Sequence, residues 1–216
     1  YGDHRDLHSF PTRRSSDLGH LYACFIDMKK AFDKVWWQGL FYKLKKSGIG
    51  GNFHKTVKNV YNVITSCVKT SSGLTPMFNM YQGVRQGETL SPTLFNLYMN
   101  DLPEAIAAGP TDPVQLGLKK VNCLMYADDI VLLSKSKHGL QNCLNNIHDY
   151  CQKWKFEVNM LKSKVIIFNK TGRLMRDQFQ YGDARIECVK TYRYLGLEFS
   201  NSGSFNTAKD SLKVKA

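Results

Sequence analysis

The tetrapeptide Tyr126-Ala127-Asp128-Asp129 lies between two apolar runs, residues 121–125 and 130–133. Such runs predict two β-strands joined by a tight turn, so both carboxylates are expected at the tip of a hairpin. Two unneutralised carboxylates in that position are costly, and a divalent metal ion is one explanation for them. A solvated turn is the other explanation, because Asp is a common turn residue.

A further carboxylate, Asp27, comes directly after the apolar run 21–26, which reads as a buried strand. If this strand and the hairpin belong to one sheet, three carboxylates converge at one end of it. Such a cluster can hold two Mg²⁺ ions about 3.5 to 4 Å apart, which activate an attacking hydroxyl and stabilise a leaving phosphate oxygen. Successive strand residues face opposite ways, so Asp128 and Asp129 cannot be equivalent ligands. We expect Asp27 and Asp128 to matter most.

Together with other segments, these residues resemble the reverse transcriptase domain of a non-LTR (LINE-type) retrotransposon. Five segments in the order of that family carry the resemblance and span residues 20 to about 200. They are residues 25–33, 82–87 with 90–98, 126–129, 159–168 and 194–197. One departure is Glu88-Thr89, where the family has a small or acidic residue followed by Pro.

The resemblance implies roles for individual residues. Asp27, Asp128 and Asp129 would be catalytic and would hold two Mg²⁺ ions, with Mn²⁺ as the alternative ion. Lys162 would be a general acid for pyrophosphate departure, and the alternative is an ordinary surface lysine. The residues implied in substrate binding are Met28, Lys29, Phe32, Gln86, Gly87, Tyr126 and Ala127.

The resemblance also indicates how five of these residues would contact the substrate. The backbone amides of Met28 and Lys29 would meet the triphosphate, and the ring of Phe32 would lie beneath the sugar. Gly83 and Gly87 bracket a loop whose backbone can come close to a base pair or sugar, because these residues lack a β-carbon. We expect Gln86 beside the nucleotide, and Arg85 against either the template backbone or an internal carboxylate.

The implied fold class is α+β, the palm of a right-hand reverse transcriptase with a ferredoxin-like split β-α-β-β-α-β core and with fingers and thumb largely missing. Residues 1–18 have no sustained apolar period, and we expect them to be disordered or non-native. Residues 19–202 form the palm with partial fingers elements, and 203–216 begin a thumb. Within the palm we expect Ser91 to cap a helix, residues 156–159 to form a strand and 105–118 to form a loop.

The composition agrees with one globular domain: the chain has 216 residues, of which 43% are hydrophobic and 12% aromatic. It shows no apolar run near the roughly 20 residues that span a bilayer, and no signal pattern. We therefore expect an intracellular protein, nuclear or cytoplasmic and not secreted, with no membrane partner. The six cysteines show no Cys-x-x-Cys spacing, so we interpret most of them as small core residues.

The formal net charge of +12 indicates a polyanionic partner. Six lysines cluster around the first motif, where they form either a solvated helix face or a nucleic-acid track. They are Lys29, Lys30, Lys34, Lys43, Lys45 and Lys46.

The function predicted is that of an RNA-directed DNA polymerase with an RNA template, a DNA primer and dNTP as partners. The alternative is a catalytically inactive retroelement remnant that only binds nucleic acid, since the segment ahead of the first motif is too short for basic fingers. A metal-dependent phosphohydrolase is disfavoured, because no water-activating base accompanies the carboxylates.

Overall fold

A computed structural model of the chain describes residues 19–204, and its core is a mixed sheet packed against helices. The helices are α1 (Trp37–Lys46), α2 (Gly51–Val60), α3 (Ser91–Met99), α4 (Leu102–Ile106) and α5 (Lys137–Trp154). The strands are β1 (Leu21–Asp27), β2 (Ile64–Ser66), β3 (Lys69–Thr70), β4 (Gly73–Leu74), β5 (Phe78–Met80), β6 (Val114–Leu116), β7 (Lys119–Val121), β8 (Cys123–Tyr126), β9 (Asp129–Ser134), β10 (Lys164–Phe168), β11 (Phe179–Tyr181), β12 (Ala184–Cys188), β13 (Thr191–Tyr194) and β14 (Leu197–Ser200).

The main sheet has six strands in the order β11-β12-β10-β1-β9-β8. Its inner part, β10-β1-β9-β8, connects through α3 and α5 as a split β-α-β-β-α-β unit with the other short elements inserted. Strand β1 is central and pairs antiparallel with both β9 and β10. The predicted palm layout is therefore confirmed.

Side chains of β1 alternate between two cores. Tyr22, Cys24 and Ile26 join the larger core on the helical side of the sheet. Ala23 and Phe25 join a smaller core on the other side, which the β13–β14 hairpin covers. Because the strand period is two, this alternation assigns the next residue, Asp27, to the hairpin side.

Helix α5 covers the sheet with one apolar stripe. Its N-cap is Ser136, whose hydroxyl accepts a hydrogen bond from the Gly139 N–H at 3.1 Å. The stripe repeats at helical spacing. Its buried members include Leu140, Leu144, Ile147, Cys151 and Trp154.

Of the six lysines that cluster around the first motif, Lys43 on α1 is the one that is buried. Its ammonium donates at 2.6 Å to each of three acceptors, the Tyr98 carbonyl, the Asp101 carboxylate and the Tyr150 hydroxyl. It also lies 3.8 Å from the centre of the Trp154 ring. Desolvation lowers the pKa of Lys43 to about 8. Neither interpretation made from the sequence, a solvated face or a nucleic-acid track, holds for this residue.

Three local predictions are wrong. Residues 156–159 do not form a strand, because only Val158 pairs, in an isolated bridge to Met28. The stretch 105–118 contains the end of α4 and the strand β6, which is paired with β7, so it is not simply a loop. Ser91 is the first residue of α3 and makes no capping hydrogen bond.

Residues 1–18 and 205–216 lie outside the described part of the chain, so the interpretation of 1–18 and almost all of the expected thumb segment fall there. Within residues 19–204, no helix is both long enough and apolar enough to cross a membrane.

Candidate active site

The sheet register brings carboxylates from the first and third motifs together. Asp27 at the end of β1 is the direct cross-strand partner of Asp129 at the start of β9. Directly opposed residues of an antiparallel pair face the same side, with Cβ atoms about 4.5 to 5.5 Å apart. Asp129 also pairs with Tyr126, so Ala127 and Asp128 form a two-residue turn. Ala127 has φ 55°, which is uncommon for a residue with a side chain.

The carboxylates in this cluster influence one another. The pKa of Asp129 is raised, first by desolvation and then by the negative charges of Asp128 and Asp27. All three side chains are partly buried. The cluster therefore concentrates negative charge, of which the ammonium of Lys162, 3.9 Å from Asp27, offsets only a part, and a bound cation would relieve the rest.

The strand register distinguishes the two turn aspartates, but not through the alternation along a strand that the sequence argument used. That argument put Asp27 and Asp128 first, whereas the residue that lies opposite Asp27 is Asp129. Asp128 belongs to the turn itself, one position beyond that pairing.

The fourth motif holds the backbone of Asp27. The Asn159 N–H donates to the Asp27 carbonyl at 2.7 Å, and the Asp27 N–H donates to the buried Ser163 hydroxyl at 3.1 Å. Between them, Lys162 extends its ammonium to 3.9 Å from the Asp27 carboxylate while its side chain stays 68% exposed. The structure therefore brings the candidate general acid to the carboxylate cluster.

Met28 and Lys29 do not offer the pair of open amides that the sequence suggested. The Lys29 N–H donates to the Glu157 carbonyl at 2.8 Å, and the Lys29 ammonium lies 3.7 Å from the Glu157 carboxylate. The same carboxylate accepts from Lys34 at 3.1 Å. Met28 is buried in the larger core and forms the bridge to Val158. A triphosphate would have to displace Glu157 before it could bind Lys29.

Phe32 lines a groove that it forms with the glycine loop and the start of α3. Its ring stacks on Phe95 of α3, with the ring centres 4.5 Å apart and the planes inclined by 12°. The groove has a volume of about 510 Å³ and is also lined by Gln86, Gly87 and Pro92. The predicted neighbours Phe32, Gln86 and Gly87 thus share one wall.

The side chains of the glycine loop are held by internal contacts. The Arg85 guanidinium donates to Glu88 at 2.8 Å, which selects the internal carboxylate from the two alternatives that the sequence left open. The Gln86 amide donates to Asp33 at 3.0 Å.

Aromatic residues at and just before the fifth motif contact the strands that carry the carboxylates. The Tyr194 hydroxyl donates to the Asp129 carbonyl at 3.4 Å. Tyr192 stacks on Phe25 with the ring centres 4.8 Å apart. Burial, together with the Asp129 charge, raises the pKa of Tyr194 to about 12. Tyr126, in contrast, is 70% exposed at the rim of the turn.

Comparison with known proteins identifies the architecture. Residues 3–199 match the family model for reverse transcriptase (RNA-dependent DNA polymerase). The chain belongs to the reverse transcriptase family. It is 26% identical over 216 residues to the RNA-directed DNA polymerase from the mobile element jockey of Drosophila melanogaster, which covers 95% of this chain and 23% of that protein.

A further relative of this reverse transcriptase chain agrees, and a solved structure shares the fold. The probable RNA-directed DNA polymerase from transposon BS of Drosophila melanogaster is 33% identical over 153 residues, 68% of this chain and 16% of that protein. Telomerase from Candida tropicalis, solved in complex with a TWJ fragment of telomeric RNA, has a TM-score of 0.57 at 17% identity and covers 90% of this chain and 31% of that one. The chain thus spans roughly a fifth of the length of the curated relatives.

The side chains at this reverse transcriptase site offer carboxylate oxygens, which are of the ligand type that Mg²⁺ prefers. Asp27 and Asp129 supply carboxylate oxygens from facing strands, and Asp128 follows in the turn. No group of three His, Cys, Asp or Glu side chains that could hold a metal ion occurs within residues 19–204. This is compatible with Mg²⁺, which is usually bound through one or two carboxylates, waters and substrate phosphates rather than by an all-protein cage.

Several residues that organise the site were missed by sequence reasoning. Asp33 and Ser163 lie inside the first and the fourth motif, and that placement was an available signal. Glu157 and Tyr192 had no such signal, because their roles depend on contacts with β1 and its flanking residues.

Proposed function

We propose that this chain is the catalytic core of an RNA-directed DNA polymerase of a non-LTR retrotransposon, which adds a dNTP to a primer 3′-hydroxyl under the direction of an RNA template. The observation that carries the proposal is the pairing of Asp27 with Asp129 at the tip of the palm sheet. The names of the relatives, RNA-directed DNA polymerases of mobile elements, support it.

Asp27, Asp128 and Asp129 would hold two Mg²⁺ ions, or Mn²⁺ in their place. When bound, such ions activate the attacking 3′-hydroxyl and stabilise the charge on the transferred phosphate and its leaving group. The raised pKa of Asp129 supports this assignment, because a bound cation would favour the charged form that the neighbouring carboxylates disfavour.

The chain itself positions the reacting groups. Asn159 and Ser163 fix the backbone of Asp27, and Tyr194 holds that of Asp129, so the two carboxylates stay in register. Lys162 would donate a proton to the departing pyrophosphate from its place beside Asp27.

Phe32 would define the sugar side of the nucleotide groove. A ring in contact with C2′ leaves no space for a 2′-hydroxyl, so ribonucleotides would be excluded by a steric clash. Gln86 and Gly87 would line the nucleotide on the same wall, and Tyr126 and Ala127 would lie at the primer side of the turn.

The RNA template and the DNA primer would bind mainly through their phosphates. A net charge of +12 supports this, and the telomerase neighbour was solved with RNA. Exposed lysines of the first motif, Lys30, Lys45 and Lys46, would contribute, whereas Lys43 would not because it is buried. A function with these partners would be exercised inside the cell.

Primer extension on poly(rA) with oligo(dT) tests the proposal, using both this chain and a longer polypeptide in which a fingers segment precedes β1. We expect Mg²⁺-dependent extension that is lost in Asp27→Ala and in Asp128→Ala. The matched control is Asp149→Ala on α5, whose side chain is 83% exposed and lies 3.4 Å from its neighbour His148.

Near-normal extension by both active-site variants would show that the site is assigned wrongly. If neither polypeptide extends a primer while both still bind the duplex, the chain is a nucleic-acid-binding remnant instead.

A further inference from the structure

Asp33 and Gln86 form a hydrogen bond that joins the first motif to the glycine loop. The Gln86 side-chain amide donates to the Asp33 carboxylate at 3.0 Å. Both side chains are exposed. Gln86 lines the groove, and Asp33 directly follows Phe32, which also lines it. The contact therefore adjoins the proposed nucleotide site.

The two backbone segments are locked together on either side of this bond. The Val84 N–H donates to the Phe32 carbonyl and the Gly83 N–H donates to the Val35 carbonyl, each at 2.8 Å. The indole N–H of Trp37 donates to the Gly83 carbonyl at 2.7 Å in a buried position. The bonds at Phe32 and Val35 lie on both sides of Asp33 in the chain, so they fix the backbone that carries the Asp33 carboxylate.

Gly83 shows how closely the segments approach. It has φ 93°, and a β-carbon built there would lie 3.0 Å from the Asp33 carbonyl oxygen. Both the backbone angle and the lack of space favour glycine at this position. The distance between the two segments is therefore set by the backbone and does not depend on the Asp33–Gln86 bond.

The bond instead determines the orientation of the Gln86 carboxamide. The terminal torsion of glutamine is broad and roughly two-fold, so an unheld carboxamide turns freely and can exchange its oxygen and nitrogen. When one N–H of the carboxamide donates to Asp33, its oxygen and its second N–H remain available to a ligand. Arg85 does not compete for Asp33, because its guanidinium is paired with Glu88.

We propose that Asp33 is a positioning residue that fixes the Gln86 carboxamide toward the nucleotide in the groove. The inference rests on the proposed function, and it assigns to Asp33 a role exercised only through Gln86. Because the bond is exposed, it adds little to folding stability, and its loss affects nucleotide binding instead. The free carboxamide must then lose its rotational freedom when the nucleotide binds.

A double-mutant cycle on the 216-residue chain tests this role, with dTTP and Mg²⁺ as the probe and NMR titration as the measurement. We expect Asp33→Ala and Gln86→Ala each to weaken dTTP binding by about three- to tenfold, the range of one hydrogen bond. The double variant should bind no more weakly than Gln86→Ala alone. Asp33→Asn should keep most of the affinity, because its side-chain oxygen still accepts from Gln86.

The matched control is Asp177→Ala, which removes an aspartate paired at 3.1 Å with Lys137, away from the groove, and should leave dTTP binding unchanged. Additive losses in the double variant, or unchanged binding in Asp33→Ala, would overturn the inference and leave the proposed function standing. If the wild-type chain does not bind dTTP at all, the inference fails, whereas the proposed function stands or falls with the primer-extension assay.

Discussion

Replacement of Phe32 by Val links one side chain to substrate choice. In the folded protein the Phe32 ring stacks on Phe95 at 4.5 Å and forms part of the groove wall. Valine at this position ends short of the groove, so space opens where a 2′-hydroxyl would lie. We expect the efficiency of ribonucleotide use relative to deoxynucleotide use to rise at least tenfold, a difference of about 1.4 kcal/mol in the two activation free energies.

The same substitution also costs stability. The stacked ring pair contributes about 0.5 to 1.5 kcal/mol beyond burial, and Phe32 packs only partly against the core. The expected loss in the free energy of unfolding is about 1 to 3 kcal/mol, below the range for a complete truncation of a buried Phe. Since this is as large as the expected change in selectivity, a single activity value cannot separate the two effects.

The assay therefore compares two substrates on the same protein sample. UTP and dUTP differ only in the 2′-hydroxyl, and the ratio of their kcat/KM values on poly(rA) with oligo(dT) cancels any loss of folded protein. Phe95→Leu is the matched control, because it removes the ring pair and leaves Phe32 at the groove. It should lower stability without changing the ratio. If Phe32→Val lowers both activities by the same factor, Phe32 is a packing residue and the steric argument is wrong.

Three further outcomes can be measured. Because the pKa of Asp129 is raised, the native state still binds a proton at a pH where the unfolded chain has lost it. The contribution of Asp129 to the free energy of unfolding therefore falls as the pH rises from the ordinary pKa of 3.8 through the raised pKa. Urea unfolding in EDTA should show this fall in wild type relative to Asp129→Asn, and parallel curves would contradict it. Lys43 has a lowered pKa of about 8, so its effect on stability runs the opposite way. Between pH 8 and about 10, below the ordinary pKa of 10.5, the wild-type protein should become more stable relative to Lys43→Met, because only the unfolded chain still binds the proton. No relative gain in that range would refute a depressed pKa. Finally, the affinity of the chain for a primer-template duplex should fall steeply with salt, and an affinity that is unchanged by salt would exclude a phosphate-based track.

Hydrophobic periodicity along the sequence was sufficient to predict the first strand of the palm. The apolar run before Asp27 gave nearly correct bounds for that strand, because a strand pattern is local. The motif order then indicated the split β-α-β-β-α-β layout. Local prediction failed at 156–159, where a single bridge to Met28 depends on a distant partner.

The sequence by itself determined the fold class and, through the family resemblance, named the carboxylates and the aromatic residue of the proposed site. Tertiary structure decided which carboxylate lies opposite Asp27, because strand register is a property of the pair and a shift by one residue would reverse the facing side. It also decided that Lys43 is buried among aromatic rings and that Asp33 holds Gln86. Such contacts join residues far apart in the chain, and their energies exist only once the sheet and helices have brought the partners within hydrogen-bond distance.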